Sequence, residues 1–192
     1  MPFNPTDFVS PPDVIAATCA LFDGEIDLDP ASSVSANRLI HARKYFTPSD
    51  QGLRQLWKAE NVYLYPPRDV LLSIEQPPNR LLWKKTKRFR KSAQRVWMEE
   101  MLRKYTLGEF KEGILFLTST DVALRAAQKV GLDLPLCILK DHPKIRYDDK
   151  KLSAVNTGKI FGFVYYFPSP ERTEFKILKF QQIFSTLGRV YI

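Results

Sequence analysis

The chain has 192 residues, of which 44% are hydrophobic and 26% are charged. This length suits one hydrophobic core of ordinary size, and the composition is that of a globular protein. No apolar run approaches the roughly 20 residues that a membrane-spanning helix needs, which excludes integral helical membrane proteins. The N-terminal sequence lacks the basic start and apolar stretch of a secretory signal. We therefore expect one domain over residues 1–192, located in the cytoplasm.

The charge balance of the chain is strongly positive. There are 29 Lys and Arg residues against 21 Asp and Glu residues, which gives a formal net charge of +8. Such an excess favours a polyanionic partner. We expect that partner to be a nucleic acid, with DNA preferred, and we expect no membrane association.

Cysteine and histidine are rare in this sequence. Cys19 and Cys137 stand in apolar surroundings, which predicts two buried small hydrophobic side chains. The histidines are His41 and His142. These four residues are too few for a disulfide framework or a histidine-rich zinc site, so we expect no metal.

The first third of the chain predicts two helices and two strands. The sequence SPPDVIAATCALFDG predicts a helix with Ser10 as its N-cap and Gly24 after its end. EIDLDP, residues 25–30, then predicts a short strand that ends in an acid and a proline. Residues 32–46 predict a second helix, and NVYLYPP, residues 61–67, predicts a second strand.

The most basic part of the chain follows, and it predicts an amphipathic helical segment at about residues 80–106. Phe89, Ala93 and Trp97 are among the apolar residues that fall near one face of this helix. The opposite face is either a solvated basic surface or a surface that contacts phosphates. Seven basic residues and no acidic one lie between positions 84 and 95, namely Lys84, Lys85, Lys87, Arg88, Arg90, Lys91 and Arg95.

The second half of the chain predicts a sheet with helices on it. GILFLTS, residues 113–119, is an uninterrupted apolar run, as expected of a central parallel strand covered on both faces. DVALRAAQKVG, residues 121–131, predicts a helix. Further strands are predicted for LCILK (136–140), KIRY (144–147), IFGFVYYF (160–167) and RVYI (189–192). This order predicts an α/β fold with a mostly parallel sheet and an antiparallel C-terminal edge.

Several short motifs gain meaning from their order and spacing. SPPDVI, LFDGEIDLDPASS, an Asn-bearing helix, YFT, DQGL, a Trp and finally YPP follow one another within residues 10–67. This series resembles the phage-type (Dam-like) DNA adenine methyltransferases, whose series ends in Asn-Pro-Pro-Tyr. The likeness continues through GILFLTSTDVALRAA, HPKIRY, GFVYYF and FSTLGRVYI, so it covers nearly the whole chain.

The resemblance implies a Rossmann-like, S-adenosylmethionine-dependent methyltransferase fold. In open α/β sheets ligands bind outside the carboxyl ends of the strands, where we expect Asp27, Asp29 and Pro30 to lie. By the same resemblance Asp50 would lie near the cofactor's adenine. The alternative is structural: Asp29 caps the following helix, and Asn37 and Asp50 stabilise turns. The implied cofactor-binding residues are Ser10, Pro11, Asp27, Asp29, Pro30, Ala31 and Asp50.

The catalytic motif departs from the family at two positions. In the family, the Asn amide oxygen and a proline carbonyl accept hydrogen bonds from the exocyclic amine of a flipped adenine, and the Tyr ring stacks on the base. Here the motif reads Tyr65, Pro66, Pro67 and Arg68. A phenol oxygen lies too far from the backbone to replace the amide, and its ring fills space that the base needs. Losing such oriented acceptors costs on the order of 3–4 kcal/mol of transition-state stabilisation.

We therefore expect a methyltransferase-like protein that has lost methyl transfer and binds nucleic acid through its basic segment. S-adenosylmethionine binding can be kept or lost independently of transfer. One alternative is an active enzyme in which Asn61, Asp69 or Gln76 supplies the missing acceptor. Another alternative is a non-catalytic subunit of a methyltransferase complex, whose protein partner would cover exposed aromatic residues. Those aromatic residues would be Trp83, Phe89 and Trp97.

Overall fold

A computed structural model describes residues 10–67, 71–73, 90–129, 134–143 and 160–192. The α-helices in these ranges are α1 (Pro12–Leu21), α2 (Val34–Ile40), α3 (Ala93–Thr106), α4 (Thr120–Lys129) and α5 (Thr173–Phe184). The strands are β1 (Leu28–Asp29), β2 (Lys44–Tyr45), β3 (Ala59–Leu64), β4 (Leu71–Ser73), β5 (Arg90–Ser92), β6 (Phe110–Leu117), β7 (Leu136–Leu139), β8 (Phe163–Phe167) and β9 (Gly188–Tyr191). None of the described helices is both long enough and apolar enough to cross a bilayer.

Seven strands form one mixed sheet in the order β2-β1-β3-β6-β8-β7-β9. β2, β1, β3 and β6 pair in parallel. β8 runs antiparallel to its neighbours β6 and β7, and β9 runs antiparallel to β7. The predicted α/β fold, with a parallel core and an antiparallel edge, is confirmed. β4 and β5 form a separate antiparallel pair.

The core lies on both faces of this sheet because successive side chains of a strand point to opposite sides. Tyr63 of β3 packs in a cluster with residues of α1 and α5, such as Val14 and Phe180. Leu64 packs on the other face in a cluster with residues of α3 and α4, such as Met101. All four named apolar side chains and Tyr63 are completely buried. β6 is covered in the same way, which confirms the central strand predicted for residues 113–119.

The second predicted helix, residues 32–46, is wrong beyond Ile40. His41 takes a left-handed conformation with φ of 54°, which ends α2. The side chain of Asn37 explains this end, because its Oδ1 accepts from the Ala42 N–H at 2.9 Å and its Nδ2 donates to the Ala42 carbonyl at 3.2 Å. An asparagine that bonds the backbone in this way competes with helix continuation, and the chain turns into β2.

The first predicted helix is confirmed apart from its N-cap. α1 begins at Pro12, its N-cap is Pro11, and no side chain caps it. Ser10 therefore precedes the helix instead of capping it. Gly24 follows the helix end with φ of 136°, a value that favours glycine, as the sequence predicted.

The predicted basic helix is confirmed only from Ala93 onwards. Arg90 and Lys91 lie in β5, which corrects the helix prediction for them. The hydroxyl of Ser92 accepts a hydrogen bond from the Arg95 N–H at 3.3 Å and so caps α3. The remaining predicted phosphate-binding residues, namely Lys84, Lys85, Lys87 and Arg88, lie outside the described residues, as do Phe89, Gly131 and the predicted strand 144–147.

The sequence analysis missed helix α5, which separates β8 from β9. Its aromatic and β-branched residues favour a strand by composition. The spacing of Lys176, Phe180 and Phe184, four residues apart, is helical, and all three side chains are buried. Lys176 is stabilised in the core because its Nζ lies 3.0 Å from Oε1 of Glu112, whose Oε2 accepts from the Tyr166 hydroxyl at 3.0 Å.

The two cysteines are not paired with each other. Cys137 is completely buried, as predicted, whereas Cys19 is only half-buried. Within the described ranges, His, Cys, Asp and Glu side chains do not gather in threes that could hold a metal ion.

Gly52 provides a test of the close approach between two loops at the carboxyl ends of the strands. A Cβ at Gly52 would lie 2.0 Å from the Pro30 carbonyl oxygen and 3.1 Å from the Trp97 ring. We expect Gly52→Ala to lower the free energy of unfolding by about 3 kcal/mol, because backbone has to move. The matched control is Gly108→Ala, where φ is 69° and no atom lies within 4 Å of the added Cβ. It should cost about 1 kcal/mol from backbone strain only. Equal losses in urea denaturation would contradict this packing.

Candidate ligand cleft

The order of the strands creates a crevice between β1 and β3. From β1 the chain runs to β2 on one side, and it then returns past β1 to β3 on the other side. In open α/β sheets, ligands bind at such a reversal, outside the carboxyl ends of the two strands. Those ends are Asp29 in β1 and Leu64 in β3. The topology therefore points to this crevice as the candidate site.

Asp29 is a buried carboxyl group at the base of the crevice, with 2% of its surface exposed. Its Oδ1 accepts a hydrogen bond from the Ala31 N–H at 3.1 Å. Burial raises the pKa of Asp29 from 3.8 to about 6, although the Ala31 N–H and the nearby Ser32 hydroxyl oppose this rise. The N-cap of α2 is Ser33, so the alternative that Asp29 caps this helix is wrong.

Buried hydroxyl groups surround Asp29. The Ser32 hydroxyl faces the Asp29 carboxylate and the Ser10 hydroxyl faces that of Tyr63, although neither contact has standard hydrogen-bond geometry. Burial raises the pKa of Tyr63 well above its ordinary value. Ser10, Asp29 and Tyr65 line a small cavity of about 10 Å³. That volume suits about one water molecule, so this polar cluster holds no larger ligand in the conformation described.

A larger cavity of about 330 Å³ adjoins the small one and shares Ala31 and Pro67 with it. This volume lies within the range of small-molecule sites, and its walls are mainly apolar. It is lined by Pro30, Ala31, Ser32, Phe46, Thr47, Pro48, Gln51, Gly52, Leu53, Arg54, Pro67, Ala93 and Trp97.

One wall of the larger cavity contains Trp97, which packs on a second tryptophan that is not in the lining. Trp97 of α3 stacks on Trp57 with ring centroids 6.1 Å apart and planes 22° apart. The Trp57 indole N–H donates to the Gly52 carbonyl at 2.8 Å. On its other side, Trp57 meets the ammonium group of Lys104, which lies 5.2 Å from the ring centroid and 2.8 Å from Oε2 of Glu109. Trp97 is therefore positioned by its contact with Trp57, which is itself held by Gly52 and Lys104.

The edge of the larger cavity carries positive charge. Arg54 is the one charged side chain among the described residues that line it. Lys44, whose ammonium group lies 5.0 Å from the ring centroid of Phe46, does not line this cavity; it lines a separate depression together with Asp27, Glu60 and Glu109. Within the described part of the chain, Arg54 and Lys44 form no ion pair.

The structure brings together four of the seven cofactor-binding residues that the resemblance implies. These four, which line the cavities, are Ser10, Asp29, Pro30 and Ala31. Pro11 is the N-cap of α1 and is not among the lining residues.

Asp27 lies at the amino end of β1, so the prediction that it lies at the carboxyl end is wrong. Its Oδ2 accepts from the Glu60 N–H at 3.0 Å, and its Oδ1 lies 3.3 Å from Arg43. Asp50 is exposed and stabilises a turn, because its carboxylate accepts from the N–H and the hydroxyl of Thr47 at 2.8 and 2.6 Å. The structural alternative stated for Asp50, and for Asn37, is confirmed.

The residues of the Pro-Pro motif lie at the crevice, as the sequence predicted. Pro66 and Pro67 line the small cavity, and Arg68 lies outside the described residues. Tyr65 is 6% exposed, and its ring centroid lies 4.9 Å from that of Phe116 in the core on the α1 side of the sheet. The phenol is therefore part of the hydrophobic core.

Sequence reasoning missed Phe46, Arg54 and Trp97 as site residues. Phe46 belongs to the YFT motif, and Arg54 directly follows the DQGL motif, but the sequence analysis assigned neither residue a binding role. The available signal was two basic residues followed by two aromatic residues, at positions 43–46 in and around β2. Trp97 had none, because it lies 43 positions after Arg54 and reaches the cavity only through helix α3.

No protein-family model matches this sequence, and neither does any of the curated proteins compared with it. The likeness to the Dam-like methyltransferases therefore depends on the residues quoted above.

Asp29→Asn tests the burial of this carboxyl group. Between about pH 4 and pH 6 the folded protein binds a proton that the unfolded chain releases, so stability falls as the pH rises through this window. Asparagine cannot ionise, so the variant does not bear the cost of a buried negative charge at high pH. We expect the variant to exceed the wild type in free energy of unfolding by on the order of 2–3 kcal/mol at about pH 8 and to match it near pH 4.

Asp50→Asn is the matched control, and we expect it to change stability at high pH in the opposite direction. Hydrogen bonds from the Thr47 hydroxyl and N–H hold the pKa of Asp50 below its ordinary value. Its ionised form stabilises the fold above the ordinary pKa, and this contribution is lost as the pH falls. The control should therefore be less stable than the wild type at about pH 8. A pH-independent effect of Asp29→Asn in urea titrations would contradict its buried, protonatable state.

Proposed function

We propose that this chain is a methyltransferase-like protein that binds nucleic acid, with DNA the preferred partner, and that does not methylate adenine efficiently. The observation that carries the proposal is the position of Tyr65. This residue occupies the family's acceptor position, yet its ring packs on Phe116 in the core and is only 6% exposed. The residue at the family's Asn position therefore offers the crevice no amide oxygen that could accept a hydrogen bond from an adenine amine.

The alternative of an active enzyme is weakened by the environment of Asn61. Its Oδ1 accepts from the Asp27 N–H at 2.9 Å, and its Nδ2 donates to the Glu25 carbonyl at 3.1 Å. The amide therefore joins the amino ends of β1 and β3 and is not available to a substrate. Asp69 and Gln76, the other two replacements considered, lie outside the described residues.

The crevice fits the positively charged end of S-adenosylmethionine poorly. The cofactor would supply a methyl group on a positively charged sulfur, next to a chain that also carries an ammonium group. Asp29 is the described carboxylate at the base of the crevice, and it lines the cavity of about 10 Å³ and not the larger one. The larger cavity offers Arg54, which is a cation. The described residues suit the heterocyclic part of the cofactor and not its cationic part, so we derive no methyl-transfer step.

The basic segment supports the nucleic-acid half of the proposal. Four of the seven basic residues between positions 84 and 95 lie within five positions, from Lys84 to Arg88, and no acidic residue interrupts them. Arg95 differs from these, because its Nε lies 3.0 Å from Oε1 of Glu99. We therefore assign phosphate contact to the residues before Arg95.

The alternative of a non-catalytic subunit predicted that three aromatic residues contact a protein partner, and one of them is not available for such a contact. Trp97 is 7% exposed and stacks on Trp57, so it does not offer a surface to a partner. Trp83 and Phe89 lie outside the described residues.

Methyl transfer provides the first test. Purified protein, labelled S-adenosylmethionine and unmethylated DNA should give no incorporation at adenine above background. Tyr65→Asn, which restores the family's residue, should lower the free energy of unfolding by about 3 kcal/mol without giving activity, because it buries an amide in the core. Tyr65→Phe is the control and should stay within about 1 kcal/mol of the wild type. Cofactor-dependent incorporation that survives Tyr65→Phe would overturn the proposal.

Salt-dependent binding provides the second test. Fluorescence anisotropy with labelled single-stranded and duplex DNA should show binding at about 50 mM salt that weakens steeply at about 300 mM. Replacing Lys84, Lys85, Lys87 and Arg88 by Gln should reduce the slope of log K against log[salt] for duplex DNA by about 0.9 for each lost phosphate contact.

The matched control removes the same charge elsewhere, by replacing Lys58, Lys111, Arg125 and Arg189, all exposed, with Gln. It should leave most of the slope unchanged. Binding that is absent at low salt, or equal losses in the two quadruple variants, would contradict a role for the basic segment.

A further inference from the structure

We infer that the outer edge of strand β9 pairs with the same edge of a second copy of this chain, in an antiparallel arrangement centred on Val190. Two seven-stranded sheets then join into one continuous sheet through their β9 strands. The inference goes beyond the proposed function, because none of its observations comes from the crevice or from the basic segment.

The backbone of β9 offers hydrogen-bonding groups along the outer edge of the sheet. β9 is the last strand in the sheet order, and among the described strands it pairs with β7 alone. The Leu187 carbonyl accepts from the Lys140 N–H at 3.0 Å, which fixes the alternation of hydrogen bonds along this antiparallel pair. The backbone groups of Arg189 and Tyr191 therefore face β7, whereas those of Val190 point away from the sheet. Such an edge is a template for a further strand.

The edge formed by residues 188–192 lacks the usual protection against pairing. Edge strands are commonly protected by proline, by lysine or by a bulge. The sequence GRVYI contains neither proline nor lysine, and its one charge is that of Arg189. The register with β7 runs residue for residue from Gly188 to Tyr191, without a bulge. Apolar surface is also available, because Tyr191 and Ile192 are 46% and 64% exposed.

The sequence of this edge is complementary to itself, and this complementarity indicates a second copy as the partner. When the pair is centred on Val190, Arg189 lies opposite Tyr191 of the second copy, and Gly188 lies opposite Ile192. The Arg189 guanidinium already lies 5.5 Å from the ring centroid of its own Tyr191, so the two side chains share one face of the strand. Pairing brings each guanidinium beside a second tyrosine ring, which favours association. Glycine opposite isoleucine leaves room for the larger side chain.

Electrostatic repulsion selects this register and limits the strength of the pair. Centring the pair on Arg189 would place two guanidinium groups directly opposite each other, where like charges destabilise a strand pair. Each copy also carries a formal net charge of +8, which opposes association. A contact of one strand pair falls below the roughly 1,200 Å² that stable complexes bury. We therefore expect a dissociation constant on the order of 10–100 µM, so that the chain is monomeric at about 1 µM, where DNA binding is measured.

Sedimentation equilibrium of the full chain, without nucleic acid, tests the inference. Between about 1 and 300 µM protein, the average mass should rise from that of one copy towards that of two. More salt should strengthen this association, since it screens the repulsion between two positive copies, whereas salt weakens phosphate contacts. A chain that stays monomeric at the highest protein and salt concentrations would overturn the inference and leave the proposed function unaffected.

Hydrogen exchange measured by NMR locates the contact without any substitution. The Val190 N–H should exchange about threefold more slowly at about 300 µM protein than at about 10 µM, because the second copy accepts its hydrogen bond. The N–H groups of Arg189 and Tyr191, which already face β7, are the internal control and should change less. Association that leaves the exchange of the Val190 N–H unchanged would contradict pairing through this edge.

Val190→Pro removes the outward N–H at the centre of the pair. Proline is tolerated in an edge strand where the N–H faces solvent, so the pairing of β9 with β7 should persist. We expect this variant to keep the circular dichroism of the wild type and to remain monomeric up to about 300 µM. A folded Val190→Pro variant that associates as the wild type does would overturn the inference.

Arg189→Glu tests the same contact through the side chains and does not depend on the proline variant folding. It removes the cation opposite Tyr191 and should weaken association about threefold or more. Lys58→Glu is the matched control, because it makes the same change of charge at another exposed residue and should not weaken association. Adding Tyr191→Arg to Arg189→Glu should restore association, since a carboxylate then lies opposite a guanidinium. Equal association of Arg189→Glu and Lys58→Glu would contradict the inferred register.

Discussion

The crevice of this protein exists because two neighbouring parallel strands, β1 and β3, send the chain in opposite directions from their carboxyl ends. Pro66 and Pro67 then end the pairing of β3 with β6, which has reached Leu64 opposite Leu115, because proline has no N–H to donate to the ladder. The two prolines thus shape the crevice whether or not any chemistry takes place there.

Electrostatics divides the crevice into two unlike parts. The inner part holds Asp29 among buried hydroxyl groups, in a space of about one water molecule. The outer part is a larger apolar cavity edged by Arg54. The carboxylate and the guanidinium group therefore lie in different cavities of the same crevice.

Buried charge also holds the supporting structure together. Lys104 joins α3 to Glu109 and, through its position over Trp57, to the wall of the larger cavity. Lys176 and Glu112 join α5 to the centre of the sheet on the opposite face. Removing one member of such a pair leaves an uncompensated charge in the core, so these contacts stabilise a particular arrangement of helices on the sheet.

Local patterns in the sequence were enough to determine the α/β class, the buried central strand β6, helix α1 and the position of the Pro-Pro turn at a strand end, because periodicity and proline act over a few residues. Local patterns did not reveal α5, whose strand-like composition is overridden by packing of Lys176 against Glu112. They misplaced Asp27, since a shift of two residues along a short strand moves a side chain from one end of the sheet to the other. Only tertiary structure put Tyr65 in the core and brought Trp97 and Arg54 to one cavity, because these contacts join residues far apart in the chain.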